Sequence, residues 1–236
     1  MTLTRRGLLG ALGGFGSDIT FNGGKATKSI LEQLADFGVG EAEAAQLKGI
    51  ESLTQDEVIY DINRARKKLD WGRSQKGYDD IFGNFESIYT KSMAKYNQTQ
   101  DTFFLKAAVI SAMYAGKSML DASSLNNGKK RESLERALSS YGNAIRARQM
   151  IGTNNTSLYK RNLIDLPVAD EKLIRKRTSE AYEELVRITR GREKDNYLKS
   201  LIETYKRLVN LTDGTERLNY QSRIQDLSPQ IGKSIK

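Results

Sequence analysis

Residues 196–211, NYLKSLIETYKRLVNL, carry the clearest helical pattern in the chain. Apolar side chains recur there every three or four positions, so they fall along one face of an α-helix. Most of the positions between them are charged or polar, as expected for a face in contact with water. The segment therefore predicts an amphipathic helix with one buried face, formed by Leu198, Leu201, Ile202, Tyr205, Leu208 and Val209.

The same spacing recurs along most of the chain before and after this segment. Thr54 and Glu57 have the spacing of a capping box, which predicts that a helix begins there. No stretch alternates apolar and polar residues as a β-strand does, and no repeat of fixed period is predicted. We therefore expect an all-α fold of about seven or eight antiparallel amphipathic helices with an extended glycine-rich N-terminal arm.

Changes in composition divide the chain into four predicted regions. Residues 1–24 hold seven of the 20 glycines, and an extended arm is expected because Gly costs about 1 kcal/mol relative to Ala inside a helix. Residues 25–151 are predicted as a helical region. Residues 152–168 are predicted as a loop, long enough to mark a domain boundary or a contact surface. Residues 169–236 are predicted as a basic helical region.

The chain of 236 residues contains no Cys and no His. These absences exclude disulfides, Cys-ligated metals and every catalytic triad built on His. Catalysis would depend on carboxylates, Lys, Tyr or Ser without the commonest general base. We therefore expect a non-enzymatic structural or binding protein with no catalytic residue, no metal and no cofactor.

The arm begins with an arginine pair and a short apolar stretch, RRGLLGALGGFG at residues 5–16. The arginine pair and the apolar residues after it resemble a twin-arginine export signal, although no small-residue cleavage site comes next. Residues 7–16 also resemble the glycine-rich start of viral fusion peptides, which insert shallowly into membranes. Because Gly permits close approach of backbones, an arm lying between the subunits of an assembly is favoured over both. The predicted membrane or subunit contacts are Leu8, Leu9, Leu12 and Phe15.

Positive charge is concentrated in the second half of the chain. The net charge is +9, and residues 129–194 hold 16 basic and 9 acidic residues. Such a block indicates an anionic partner, nucleic acid or anionic lipid, or else a solvated surface with surplus cations. Basic clusters occur at residues 64–68, 129–131 and 172–177. The predicted contacts to an anion such as the DNA backbone, without base specificity, are Lys129, Lys130, Arg131, Lys172, Arg175 and Lys176.

Two weaker motifs have simpler explanations. Residues 116–118, Gly-Lys-Ser, resemble the end of a phosphate-binding P-loop, but Ser111 occupies the position of its first glycine. The segment also has the pattern of a helix interior. The acidic pairs at residues 79–80 and 183–184 point apart on a helix, so they are predicted to be solvated helix surface.

Taken together, a helical pattern without Cys or His, a basic block and a glycine-rich arm resemble the structural proteins of tailed-phage particles. Among these, the chain is most similar to the internal core, or ejection, proteins of short-tailed phages. The resemblance is one of class and identifies no functional residue. It implies a virion protein, assembled in the host cytoplasm as a ring homo-oligomer beside the portal or core proteins, that aids genome delivery. The arm would then contact a host membrane and the basic block the DNA backbone.

Other functions remain open at this point. A head–tail connector ring would use the arm to hold neighbouring subunits. A soluble helical DNA-binding or scaffold protein would bind through residues 129–194. An exported cell-envelope protein would lose its first residues to a signal peptidase, and an enzyme is the least expected class.

Overall fold

The computed structural model describes residue 50 and residues 52–72, 74–125, 128–151 and 170–232. These residues form seven α-helices and one 3-10 helix, with no strand among them. The predicted all-α fold is confirmed. The α-helices are α1 (Gln55–Leu69), α2 (Gln75–Thr99), α3 (Thr102–Ala122), α4 (Lys130–Met150), α5 (Glu171–Ile188), α6 (Gly191–Leu211) and α7 (Gly214–Leu227), and the 3-10 helix is Ser228–Gln230.

Three predicted features lie outside the described residues. They are the glycine-rich arm with Leu8, Leu9, Leu12 and Phe15, the helical start of the 25–151 region before residue 50, and the 152–168 loop. The helices on either side of that loop belong to one compact unit, Gly49–Lys236. Leu134 of α4 packs there in an apolar cluster with Ala181 and Leu185 of α5.

Helix α3 lies at the centre of the packing, between α2 and α4. Sixteen of its 21 residues are buried, and one apolar cluster extends from Val58 of α1 through α3 to Ile174 of α5. Among the described helices, α3 is the one long and apolar enough to cross a membrane by length and composition. A helix covered on all sides by other helices has the same composition, and 83% of the apolar window of α3 is buried within the protein.

A glycine allows α3 and α4 to approach closely. A Cβ atom on Gly116 would lie 2.5 Å from the ring of Tyr141, whose side chain is fully buried. The next residue, Lys117, pairs with Asp121 at 2.6 Å, and the Ser118 hydroxyl donates to a carbonyl of the same helix at 2.8 Å. Residues 116–118 are therefore helix interior, as their pattern indicated, and do not form a phosphate-binding loop.

The turns α5–α6 and α6–α7 are built from the same ten-residue motif. Residues 185–194, LVRITRGREK, and 208–217, LVNLTDGTER, match at seven identical or similar positions 23 residues apart. Gly191 and Gly214 take left-handed backbone conformations, with φ of 58° and 55°. The threonine of each motif donates to the leucine carbonyl four residues earlier, at 2.6 and 2.7 Å. The prediction of no repeat overlooked this pair, because two copies of a turn produce no sustained period.

Candidate functional site

The first predicted basic set is engaged with carboxylates of neighbouring helices. Lys130 contacts Glu184 of α5 at 2.8 Å. Arg131 donates from Nη1 to Glu193 of α6 at 3.0 Å and also contacts a glutamate of its own helix. Lys129 is exposed and makes no ion pair within the described residues. Two of these three cations therefore join α4 to α5 and α6.

Two cations of the second predicted set, on α5, pair with a carboxylate of α7. Lys172 contacts Glu216 of α7 at 2.6 Å, and Lys176 contacts the same carboxylate. The hydrogen bonds from Lys172 and Lys176 lower the pKa of Glu216. Arg175 pairs with Glu171 at 2.6 Å, and its side chain is only 13% exposed. The predicted shared face of these three cations is thus occupied by the protein's own carboxylates.

The two sets do not form one surface. The first lies near the C-terminal end of α5, where Glu184 is, and the second near its N-terminal end. Glu184 lies twelve positions after Lys172, which is about 18 Å along a helix axis. Five of the six predicted residues are ion-paired, so the protein's own carboxylates already offset their positive charge.

A different group of cations faces one cleft and makes no ion pair within the part of the chain that the structure describes. The cleft lies between α1 and α2 and has a volume of about 220 Å³. Arg64 and Lys68 line it from α1, and Lys91 lines it from α2. Its floor includes the buried residues Ala65 and Ile88. We call the space that these three cations and the buried floor enclose the α1–α2 cleft.

The remaining lining of the α1–α2 cleft is polar. Asn84 and Ser87 contribute from α2, and Asp61 is the one carboxylate among the described residues that line it. Three cations and one carboxylate leave a local charge of about +2, so the cleft favours an anion. Lys91 also contributes to the lowered pKa of Glu57, after the larger effect of hydrogen bonds from Thr54.

The local sequence accounts for the placement of these side chains. The capping box at the start of α1 is confirmed: Glu57 donates its backbone N–H to Thr54 Oγ1 at 3.2 Å, and Thr54 donates its own to Glu57 Oε2 at 2.8 Å. The buried face of α1, formed by Val58, Ile62, Ala65 and Leu69, sets its rotation. On α2, residues 84, 87, 88 and 91 follow helical spacing, so they share a face.

The sequence revealed only part of this site. Arg64 and Lys68 belong to the basic cluster at residues 64–68, which was not among the predicted anion contacts. Lys91 was missed because no other cation adjoins it in the chain. The spacing of Lys91 from Asn84 and Ser87 places the three residues on one face of α2. That this face lines a cleft is known only once α2 is packed against α1.

The prediction that the acidic pairs are solvated surface is wrong for Asp79 and Glu183, whereas Asp80 is exposed. Asp79 accepts from Arg136 of α4 at 2.7 Å. Glu183 accepts from the Tyr205 hydroxyl and, at 2.6 Å, from Arg223. These carboxylates connect helices. Within the described ranges, no group of three or more acidic side chains is placed to hold a metal ion.

Comparison of the chain with protein-family models, with curated proteins and with solved structures finds no match in any of the three. The fold and the cleft define it as an all-α protein with a cationic cleft between two helices.

Proposed function

We propose that this protein is a non-enzymatic nucleic-acid-binding protein that contacts the phosphate backbone through the α1–α2 cleft. The observation that supports the proposal is the convergence on one cleft of Arg64, Lys68 and Lys91, none of which is ion-paired with another described residue. Lys and Arg contacts to phosphate supply affinity that does not depend on sequence. A phosphate entering the cleft gains charge-assisted hydrogen bonds without displacing a carboxylate from an ion pair.

The phosphate contact proposed in the α1–α2 cleft differs from the contact that the sequence predicted in residues 129–194. There, five of the six cations predicted as anion contacts are ion-paired, and four of those pairs join α4, α5, α6 and α7. Removing a carboxylate from such a pair costs free energy that phosphate binding must offset. The α1–α2 cleft carries no such cost, so it is the favoured phosphate contact even though the chain is most basic elsewhere.

We expect the affinity for DNA to depend on the three cations of the cleft. In the triple variant Arg64→Gln, Lys68→Gln and Lys91→Gln, binding should weaken for duplexes of every sequence. The slope of log affinity against log salt should become shallower by about 3, or about 1 for each phosphate that is no longer neutralised. Fluorescence anisotropy of a labelled duplex over a series of salt concentrations measures both quantities.

Two further triple variants each remove three positive charges from residues outside the cleft. Lys199→Gln, Arg207→Gln and Arg217→Gln change exposed cations outside the cleft and should leave the salt slope close to that of the unmodified protein. Lys172→Gln, Arg175→Gln and Lys176→Gln test the face predicted from sequence. A larger loss of slope in this variant than in the cleft variant would contradict the proposal. Circular dichroism verifies that each variant retains its helices.

The setting that we propose is the interior of a tailed-phage virion, as a core or ejection protein near the portal. The class resemblance of the whole chain supports this setting, and a phosphate-binding cleft suits a protein held beside a packaged genome. Purified DNA-filled particles treated with protease should contain the chain in protected form, as detected by mass spectrometry. Its absence from particles would overturn the setting and leave a soluble DNA-binding or scaffold protein.

A further inference from the structure

Two large aromatic side chains beside the cleft are exposed. Tyr60 is 65% exposed, and Trp71, the single tryptophan of the chain, is 80% exposed. Aromatic side chains bury roughly 150–250 Å² each in cores and interfaces, so leaving an indole in water forgoes a large stabilisation. Their exposure next to the cations of the cleft indicates a surface that binds a partner.

These aromatics and two cations lie along one face of α1 and of the turn that follows it. Tyr60, Arg64, Lys67 and Trp71 follow the spacing i, i+4, i+7 and i+11, which places them along one line of a helix. Trp71 comes two residues after the end of α1, but its N–H donates to the Lys68 carbonyl at 3.0 Å, so the helical turn continues through it.

This stripe is aromatic at both ends and basic in the middle. Trp71 lies eleven positions after Tyr60, which is about 16 Å along the helix axis. Lys67 is exposed and makes no ion pair within the described helices. Arg64 belongs both to the stripe and to the α1–α2 cleft, so the two features form a continuous surface.

We propose that this surface binds single-stranded nucleic acid, with bases stacked on Tyr60 and Trp71 and phosphates held by Arg64, Lys67 and the cleft. The inference rests on the proposed function and specifies its ligand. Bases of a single strand have free faces that stack on aromatic rings regardless of sequence. Bases of a duplex are stacked on one another, so a duplex would use only the cations.

Trp71 reports on its own environment, because it is the single tryptophan of the chain. Titration of the full chain with a short oligothymidylate should quench its fluorescence, whereas a duplex of the same length should bind more weakly and leave the fluorescence unchanged. Tyr60→Ala should weaken single-strand binding about tenfold and leave duplex binding as it was. Trp71→Ala should do the same when binding is followed by anisotropy of a labelled strand.

Leu218→Ala is the matched control, since Leu218 is a large apolar side chain of α7 that is 64% exposed. It should bind both nucleic acids as the unmodified protein does.

Equal binding of strand and duplex without quenching would overturn the single-strand proposal and leave the phosphate-binding function standing. Binding of neither would overturn both. A blue shift of Trp71 with anionic lipid vesicles, without quenching by the oligonucleotide, would identify a membrane-contacting surface and overturn the single-strand proposal.

Discussion

Replacing Gly116 with alanine is expected to lower the free energy of unfolding by about 1–3 kcal/mol, the usual cost of overpacking a core. The added Cβ would lie 2.5 Å from one ring atom of Tyr141 and under 3.0 Å from two more. The whole edge of the ring would have to move, and the side chain of Tyr141 is fully buried. Helices α3 and α4 would separate. Urea denaturation followed by circular dichroism measures the loss.

The same substitution at Gly142 provides the control. Gly142 also lies inside a helix, α4, but a Cβ there would meet no atom within 4 Å. Gly142→Ala should therefore stabilise the protein by up to about 1 kcal/mol, because alanine loses less backbone entropy in a helix. Stabilisation by Gly116→Ala as well would show that the ring of Tyr141 does not pack against α3.

Replacing Glu183 with alanine is expected to destabilise the protein by about 1–3 kcal/mol and to loosen α7. Glu183 accepts from the Tyr205 hydroxyl and from Arg223 of α7, and Arg223 also donates to the Tyr205 hydroxyl at 2.8 Å. Burial and the bond to Glu183 raise the pKa of Tyr205. Without the carboxylate, the phenol hydroxyl loses its acceptor. Urea denaturation and the rate of proteolysis within α7 report the two effects.

Glu203→Ala is the matched control for this change. Glu203 pairs with Lys206 at 2.6 Å on the same helix, and both side chains are more than half exposed. Such a surface pair contributes little, so its loss should alter stability by less than about 0.5 kcal/mol. Equal losses in the two variants would mean that Glu183 acts as an ordinary surface charge. The pKa of Tyr205 should fall in the Glu183 variant alone.

The position of α7 shows why a count of charges along the chain does not reveal which cations are ion-paired. This helix has no buried residue of its own, and ion pairs such as those of Glu216 and Arg223 contribute to holding it. The acid that pairs with Lys172 lies 44 positions further along the chain. A window that sums charges over residues 129–194 therefore includes the cations and omits that carboxylate.

The helices could be predicted from residue spacing, because an apolar stripe of period 3.6 is a local property that survives in any packing. The capping box at Thr54 and Glu57 is local for the same reason. The all-α class and the helix interior around Gly116 followed from such patterns.

Which cations are paired, and which face the same cleft, was decided only by tertiary packing. Lys91 lines the same cleft as Arg64 and Lys68 because α2 lies against α1, and Lys172 reaches Glu216 of α7, a helix that packs against α6. An ion pair or a cleft between helices depends on two helix rotations and one approach distance. None of these three quantities is contained in the spacing along either helix.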